Sequence, residues 1–160
     1  MKVLGIDPGI NGAIALLGGG AILVDNLPTM GEGKRRVVNA TQLTAMIEEV
    51  EPTVAILEKV HAMPAQGVSS SFRFGQAFGT IEGIIGALRV PLHYVSPVAW
   101  KKHFRLPADK DAARAMATKL YPLLADRLSR KKDIDRAEAL LIARYFMDTT
   151  GEKLETETAV

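Results

Sequence analysis

The sequence contains no cysteine, so the chain can form neither disulfides nor metal sites with thiolate ligands. This absence is typical of a reducing compartment, and we expect a cytoplasmic location. No apolar stretch approaches the roughly 18 residues that a membrane-spanning helix needs. Asp7 interrupts the apolar run near the N-terminus, so we expect no signal peptide. We therefore expect neither a disulfide-stabilised protein nor a membrane protein.

The chain also has no large excess of positive or negative charge, since 20 basic and 18 acidic residues leave a net charge of only +2. The overall charge therefore identifies no partner, and the distribution of charge along the chain is more informative. The 160 residues are 48% hydrophobic and 24% charged, which is typical of a globular protein. We predict a single domain over residues 1–150 and a flexible tail over residues 151–160, which lack apolar periodicity.

The first stretch of the chain combines a strand, an acid and a tight turn. Residues 3–6 predict a buried strand, Asp7 follows it, and residues 8–12 contain turn formers. Residues 13–17 and 21–24 predict two further strands, which the short links would make antiparallel. Asp7 either caps the turn through its backbone or supplies a carboxylate to a metal or phosphate site. Because it continues an apolar strand, we favour the site.

A second acid ends a second buried strand. Asn39 predicts the N-cap of a preceding helix. The apolar stripe of that helix consists of Leu43, Met46, Ile47 and Val50. Residues 53–57 then predict a central strand that ends at Glu58 and lies parallel to the first strand. Glu58 alone would be a solvated strand end, but parallel strands place their carboxyl ends at one edge of the sheet, so we expect it beside Asp7.

Glycine recurs at helical spacing in the next helix, which we predict over residues 69–89. The glycines are Gly75, Gly79, Gly83 and Gly86. Each one costs the helix roughly 1 kcal/mol relative to alanine, so the pattern predicts close packing against the sheet or against a second subunit. Phe72 and Phe74 near its start are either core residues or residues that stack at the rim of a site.

Residues 92–95 predict a fifth strand. Ser96 and Pro97 predict the start of a short helix that extends to residue 104. Asp109 predicts the start of another helix. The expected inner face of that helix consists of Ala112, Met116, Leu120 and Leu123.

The last helix opens at Asp133 and carries two acids in its first turn. Asp135 and Glu138 are three residues apart and therefore share a face. They are either first-turn acids favoured by the helix dipole or ligands of a cation. The rest of the helix is apolar enough to pack on the sheet, so the two acids would lie at its buried end. With Asp7 and Glu58 they form a carboxylate cluster, which suits Mg²⁺ or Mn²⁺.

In combination, these motifs resemble the RuvC family of Holliday junction resolvases over roughly residues 3–147. The resemblance is carried by Gly-Ile-Asp-Pro-Gly at 5–9, Ile-Leu-Glu at 56–58, Gly-Gln-Ala at 75–77 and Asp-Arg-Ala-Glu-Ala-Leu at 135–140. It implies an α/β protein with the RNase H-like fold, in which three antiparallel strands and then parallel strands form a five-stranded mixed sheet flanked by helices. Glu138 looks more like bacteriophage members than bacterial ones, and the loop between Lys101 and Lys110 is shorter than usual. We therefore expect a phage or prophage source, acting in a bacterial cell or a phage-infected host.

The resemblance also implies roles for particular residues. The catalytic, metal-binding acids would be Asp7, Glu58, Asp135 and Glu138, holding Mg²⁺, with Mn²⁺ as a substitute and two ions in each site. Lys101 and Lys110 would act beside them on the scissile phosphate, and Phe72 or Phe74 would stack on unpaired bases. Contacts to the DNA backbone would come from Lys102, Arg130, Lys131, Lys132 and Arg136, with Lys34, Arg35 and Arg36 as further basic residues.

The implied reaction is metal-dependent hydrolysis of phosphodiester bonds in branched DNA such as four-way junctions. Because such a junction has near two-fold symmetry and needs two cuts, we predict a homodimer. The glycine-bearing helix is the expected interface. Its apolar area would come from Phe78, Ile81, Ile85 and Leu88.

Two other functions are compatible with parts of this pattern. An actin-like or sugar-kinase ATPase also begins with an Asp-Gly hairpin over phosphates, but it needs two such domains and 160 residues hold one. A protein that binds junctions without cutting them is the other alternative. The presence of all four acids argues against it.

Overall fold

The computed structural model describes residues 1–61, 67–109 and 111–150, so Lys110 and the predicted tail lie outside the described residues. The strands are β1 (Lys2–Asp7), β2 (Ala13–Gly18), β3 (Ala21–Asn26), β4 (Thr29–Met30), β5 (Val37–Val38), β6 (Val54–Glu58) and β7 (Leu92–Val95). The helices are α1 (Ala40–Val50), α2 (Val68–Ala87), α3 (Pro97–His103), α4 (Asp111–Leu120) and α5 (Ile134–Thr149), with 3₁₀ turns at Gly33–Arg35, Pro122–Leu128 and Lys131–Asp133. Within the described ranges, no helix is long and apolar enough to cross a membrane.

Five strands form one mixed sheet in the order β3-β2-β1-β6-β7. Strand β2 is antiparallel to both β1 and β3, whereas β6 is parallel to both β1 and β7. Strands β1 and β6 are almost continuous apolar runs because helices cover both faces of the sheet at its centre. The predicted fold class is therefore confirmed.

The register between β1 and β6 determines where their terminal acids lie. Ile6 is opposite Leu57, so Asp7 and Glu58 follow one residue later at the same edge of the sheet. The last residue of β7, Val95, pairs with Glu58 and extends this edge. Asp7 and Glu58 therefore lie side by side at the edge of the sheet, as predicted.

Two apolar layers, one on each face of the sheet, form the core. Val3 belongs to the layer that contains residues of α3, α4 and α5, whereas Leu4 and Ile6 belong to the layer of α1 and α2. This alternation along β1 is the two-residue period of a strand with both faces buried. The fully buried residues of α5 are Ala137, Ala139, Leu140, Leu141, Ile142 and Ala143.

The predicted caps of α1 and α3 are confirmed. The side-chain oxygen of Asn39 accepts a hydrogen bond from the backbone N–H of Gln42 at 3.1 Å. The Ser96 hydroxyl oxygen accepts one from the N–H of Ala99 at 3.2 Å, and Pro97 occupies the first position of α3. Because Ser96 directly follows β7, this cap starts α3 at the edge of the sheet that carries the acids.

The predicted inner face of α4 is wrong in part. The helix ends at Leu120 and Pro122 begins a 3₁₀ turn, so the helical spacing does not continue to Leu123, which is 91% exposed. The buried residues of α4 are Ala113 and Ala117, where the helix packs against α5.

The glycines of α2 lie on its exposed side and not against the sheet. Within the described residues, a Cβ added at any of the four would meet no atom within 4 Å. Packing on the sheet, one of the two explanations offered for the stripe, is therefore excluded. Ile81 and Ile85 are fully buried in the core of this chain, so their assignment to a subunit interface is wrong.

Helix α5 crosses β1 in direct backbone contact at Gly5. A Cβ at this position would lie 2.6 Å from the backbone nitrogen of Ala143 and closer still to the carbonyl oxygen of Ala139. Both contacts are with backbone atoms, which cannot rotate away as a flexible side chain would. Only glycine therefore allows the helix to approach the strand so closely.

We expect Gly5→Ala to lower the free energy of unfolding by about 3 kcal/mol, because the methyl group must push α5 away from β1. The measurement is urea denaturation followed by circular dichroism. Gly86→Ala is the matched control, since its Cβ meets open space and alanine favours a helix by roughly 0.5–1 kcal/mol. Equal stability of the Gly5→Ala variant and the unsubstituted protein would contradict the close contact.

Candidate metal centre

Three elements bring carboxylates together at one edge of the sheet. Asp7 ends β1, Glu58 ends β6, Asp135 lies in the first turn of α5, and Glu138 follows it three residues later. Asp7, Asp135 and Glu138 each place one carboxylate oxygen within 4.8 Å of the other two. Glu58 lies close enough for its charge to act on both Asp7 and Glu138. The structure therefore gathers all four predicted acids, three of them in one tight group.

Burial and mutual repulsion raise the proton affinity of this cluster. Burial raises the pKa of Asp7 well above its ordinary value, and the charges of Glu138, Glu58 and Asp135 raise it further. Burial also raises the pKa of Glu58 and of Asp135, with Glu138 adding to both. Among the described residues, Lys101 offsets only part of the negative charge of the cluster, and a divalent cation would balance the rest.

The turn after β1 holds Asp7 without using its carboxylate. Gly12 donates its backbone N–H to the carbonyl oxygen of Gly9 at 3.2 Å, and Gly9 has a φ of 128°, which favours glycine. The guanidinium of Arg36 donates to the carbonyl oxygen of Ile10 at 3.2 Å. Within the described residues, no hydrogen bond joins the Asp7 side chain to this turn. The interpretation of Asp7 as a turn cap is therefore not supported.

Helix α3 places two consecutive side chains against the acids. The ammonium of Lys101 lies 3.2 Å from Oε1 of Glu138, so the lysine that the sequence places beside the site does lie there. The indole N–H of Trp100 donates to Oε1 of Glu58 at 2.7 Å, and Trp100 is fully buried. Sequence reasoning missed Trp100. A signal was present, because a buried indole N–H needs an acceptor and Trp100 precedes Lys101.

A cleft of about 510 Å³ opens beside the carboxylates. Its polar lining consists of Lys101, Asp109, Lys131, Lys132, Asp135 and Glu138. Lys131 and Lys132 are exposed on the 3₁₀ turn that precedes α5, and Lys102 is exposed on α3. A second cavity, of about 330 Å³, lies away from the acids between α1 and β3, and its lining is largely apolar. The cleft that combines lysines with the clustered acids is therefore the one that suits a phosphate-bearing ligand together with a cation.

Two of the predicted DNA-binding arginines are engaged within the chain. Arg136 is only 12% exposed, and its guanidinium donates to Asn26 at 2.8 Å and to Asp133 at 3.4 Å. Arg130 remains accessible but pairs with Asp133 at 2.9 Å. Their guanidinium groups surround the buried Asp133 carboxylate, and the hydrogen bond from Arg130 lowers the pKa of that acid. Asp133 therefore belongs to this ion-pair group and not to the carboxylate cluster.

The two candidate aromatic residues have different environments. Phe72 is 72% exposed on α2, whereas Phe74 is half-buried and its ring centroid lies 6.3 Å from that of Phe78. Only Phe72 has the free ring face that stacking on a base requires. Phe74 lies against Phe78, which borders the core, but it belongs to neither apolar layer itself, so the core interpretation is not confirmed for it.

The pKa shifts predict how the stability of the metal-free protein depends on pH. Folded Asp7 keeps its proton at pH values where the unfolded chain has lost it, so the folded state binds more protons and rising pH favours unfolding. The effect begins near the ordinary carboxyl pKa of 3.8 and continues up to the raised value. With a chelator present, we expect the thermal midpoint to fall as pH rises through this window.

The Asp7→Asn variant should lose much of this dependence, because asparagine does not titrate. Asp126→Asn is the matched control, since Asp126 is exposed and lies outside the cluster. Thermal melts from pH 4 to pH 8 check the prediction. Identical slopes for Asp7→Asn and the control would show that the cluster does not carry the extra protons.

No protein-family model matches this sequence, and no curated protein matches it. The fold nevertheless has solved counterparts. Thermus thermophilus RuvC in complex with Holliday junction substrate is 19% identical with a TM-score of 0.64, and the match covers 95% of this chain and 97% of that one.

Two further structures extend the similarity to viral and mitochondrial proteins. The fowlpox virus Holliday junction resolvase is 15% identical with a TM-score of 0.56, and the match covers 94% of this chain and 99% of that one. The yeast mitochondrial Holliday junction resolvase is 18% identical with a TM-score of 0.59, and the match covers 94% of this chain and 80% of that one. The chain therefore has the fold of RuvC and other Holliday junction resolvases, as the sequence resemblance predicted.

Proposed function

We propose that this chain is a metal-dependent endonuclease that resolves four-way DNA junctions and related branched DNA. The observation that carries the proposal is the group of three carboxylates within 4.8 Å, with Glu58 beside it, in a chain that has the fold of Holliday junction resolvases. A buried acidic cluster at the end of a central strand is costly to maintain without a bound cation. A protein that only bound DNA would gain nothing from that cost.

The donor set fits Mg²⁺, with Mn²⁺ as a substitute. All four side chains offer oxygen, which hard divalent cations prefer. Burial first, and the neighbouring carboxylates second, raise the pKa of Asp7, and a bound cation would favour its ionised form. Asp7, Asp135 and Glu138 would hold the metal with Glu58, and four carboxylates suffice for two ions. Bound Mg²⁺ supplies water activation and stabilisation of the leaving oxygen in phosphodiester hydrolysis.

The basic residues around the cleft have two different tasks in this proposal. Lys101, which is held beside Glu138, neutralises charge that develops on the scissile phosphate. Lys131 and Lys132 line the same cleft and hold the flanking DNA backbone without reading its sequence. Lys102 and Arg130 extend this basic surface. Arg136 is left out of it, because its partners lie within the chain.

Phe72 would stack on an unpaired base at the branch point. Its ring is largely exposed, and base stacking on an aromatic side chain is worth about 1–3 kcal/mol per base. Branched DNA offers such unpaired bases and linear duplex does not. The exposed ring therefore favours branched substrates over linear ones.

The working unit in this proposal is a homodimer. One active site cannot make the two opposed cuts that resolve a junction, whereas a two-fold dimer presents two sites. The exposed stripe of Gly75, Gly79 and Gly83 on α2 allows close approach of a second backbone, and the exposed Val68 lies on the same helix. Ile81 and Ile85 take no part, since they pack inward.

The acids provide the direct test of the proposed activity. Asp7→Asn and Glu58→Gln should each lower the cleavage rate of a labelled four-way junction at least about 100-fold in Mg²⁺, because the metal supplies several kcal/mol of transition-state stabilisation. Junction binding, measured by gel shift with a chelator present, should stay within a few-fold of the unsubstituted protein. Asp126→Asn is the control. Near-normal cleavage by either test variant would refute the assignment of the site.

Association through α2 is tested by sedimentation velocity at micromolar concentration. We expect a dimer, and we expect Gly79→Leu to weaken it at least about 10-fold, because the new side chain separates the two backbones. Ala45→Leu, on the exposed side of α1, is the control for an added apolar side chain. A stable monomer, both alone and with junction DNA, would refute the dimer.

A further inference from the structure

Trp100 is the only tryptophan in the sequence, and it is buried directly behind a predicted metal ligand. Its indole N–H donates to Oε1 of Glu58 at 2.7 Å, and both residues are almost inaccessible to solvent. The ring packs in the apolar layer that also contains Val95 and Tyr121. The indole therefore has one polar atom, and that atom is directed at the carboxylate.

The position of Trp100 follows from the chain path between β7 and α3. Val95 pairs with Glu58, Ser96 caps α3, and Trp100 lies in the first full turn of that helix. The ring thus reaches Glu58 from α3, the helix that follows the neighbouring strand β7. Its location is determined by secondary structure on both sides, which makes it a rigid partner for the acid.

The hydrogen bond restricts what Glu58 can do. One carboxylate oxygen, Oε1, is engaged by the indole, while Oε2 accepts no hydrogen bond among the described residues. The hydrogen bond thus satisfies the buried indole N–H, which needs an acceptor, and at the same time fixes one oxygen of the Glu58 carboxylate.

We propose that Trp100 is a positioning residue that orients Glu58 for cation binding together with Asp7. This inference rests on the proposed function, because it assumes that the acids hold a divalent cation. Groups that hydrogen-bond a metal ligand fix its orientation, and their loss typically weakens metal affinity 10- to 100-fold. Trp100 acts through Glu58 and touches no reacting atom.

The test measures Mn²⁺ binding to the full chain without DNA, by the electron paramagnetic resonance signal of the free ion. Trp100→Phe should raise the half-saturating Mn²⁺ concentration about 10- to 100-fold. Tyr121→Phe is the matched control, since it also removes one polar atom from a buried aromatic ring in the same apolar layer, and it should bind Mn²⁺ normally.

A double-mutant cycle separates positioning from a general structural effect. If Trp100 acts through Glu58, combining Trp100→Phe with Glu58→Gln should bind Mn²⁺ no more weakly than Glu58→Gln alone. The proposal would be overturned if the double variant lost Mn²⁺ affinity by the product of the two single-variant losses. Normal Mn²⁺ affinity in Trp100→Phe would also overturn it.

Should Trp100→Phe fold poorly, biosynthetic replacement of the single tryptophan by benzothienylalanine removes only the N–H, because sulfur takes the place of the ring nitrogen. The same loss of affinity is expected, and unchanged affinity would overturn the proposal.

The outcomes also distinguish this inference from the proposed function. Mn²⁺ binding that Asp7→Asn abolishes but Trp100→Phe leaves intact would overturn the role of Trp100 alone. Mn²⁺ binding that survives Asp7→Asn, or no binding at all, would overturn the metal site and the positioning role with it.

Discussion

The close contact between α5 and β1 is the constraint on which the rest of the structure depends. Gly5 and Ala139 meet backbone to backbone, and each is close in sequence to an acid, since Asp7 follows Gly5 by two residues and Glu138 directly precedes Ala139. A wider separation of helix and strand would move Asp135 and Glu138 away from Asp7. The spacing of the carboxylates is therefore a consequence of how closely two backbones pack.

Bringing the four carboxylates together lowers the stability of the fold, and the same arrangement forms the candidate metal site. Burial of Asp7 raises the proton affinity of the cluster, and among the described residues Lys101 forms an ion pair with it. Buried charges without full compensation weaken a fold, and residues that act on ligands are where such costs are tolerated. By contrast, the carboxylate of Asp133 forms ion pairs with Arg130 and Arg136. These pairs stabilise the start of α5.

Much of the fold could be predicted because local patterns and tertiary packing agree. The apolar runs of β1 and β6, the caps Asn39 and Ser96, and the acids at the strand ends all indicate the same arrangement. The wrong predictions concern residues whose burial depends on tertiary packing. Leu123 is predicted to lie on the inner face of α4, but it follows a proline that ends the helical spacing. Ile81 is predicted to lie at a subunit interface, but the isoleucines of α2 face the sheet and belong to the core. The hydrogen bonds from Trp100 to Glu58 and from Arg136 to Asn26 join residues that are distant in sequence, so local patterns do not predict them.

The contact between Gly5 and α5 also has a consequence for biosynthesis. It joins the first strand to the last helix, so the ribosome must make almost the whole domain before the central layer can close. A nascent chain that ends before α5 carries Asp7 and Glu58 but lacks Asp135 and Glu138. An incomplete translation product therefore has only two of the four clustered acids, and the candidate metal centre is complete only after α5 has been made.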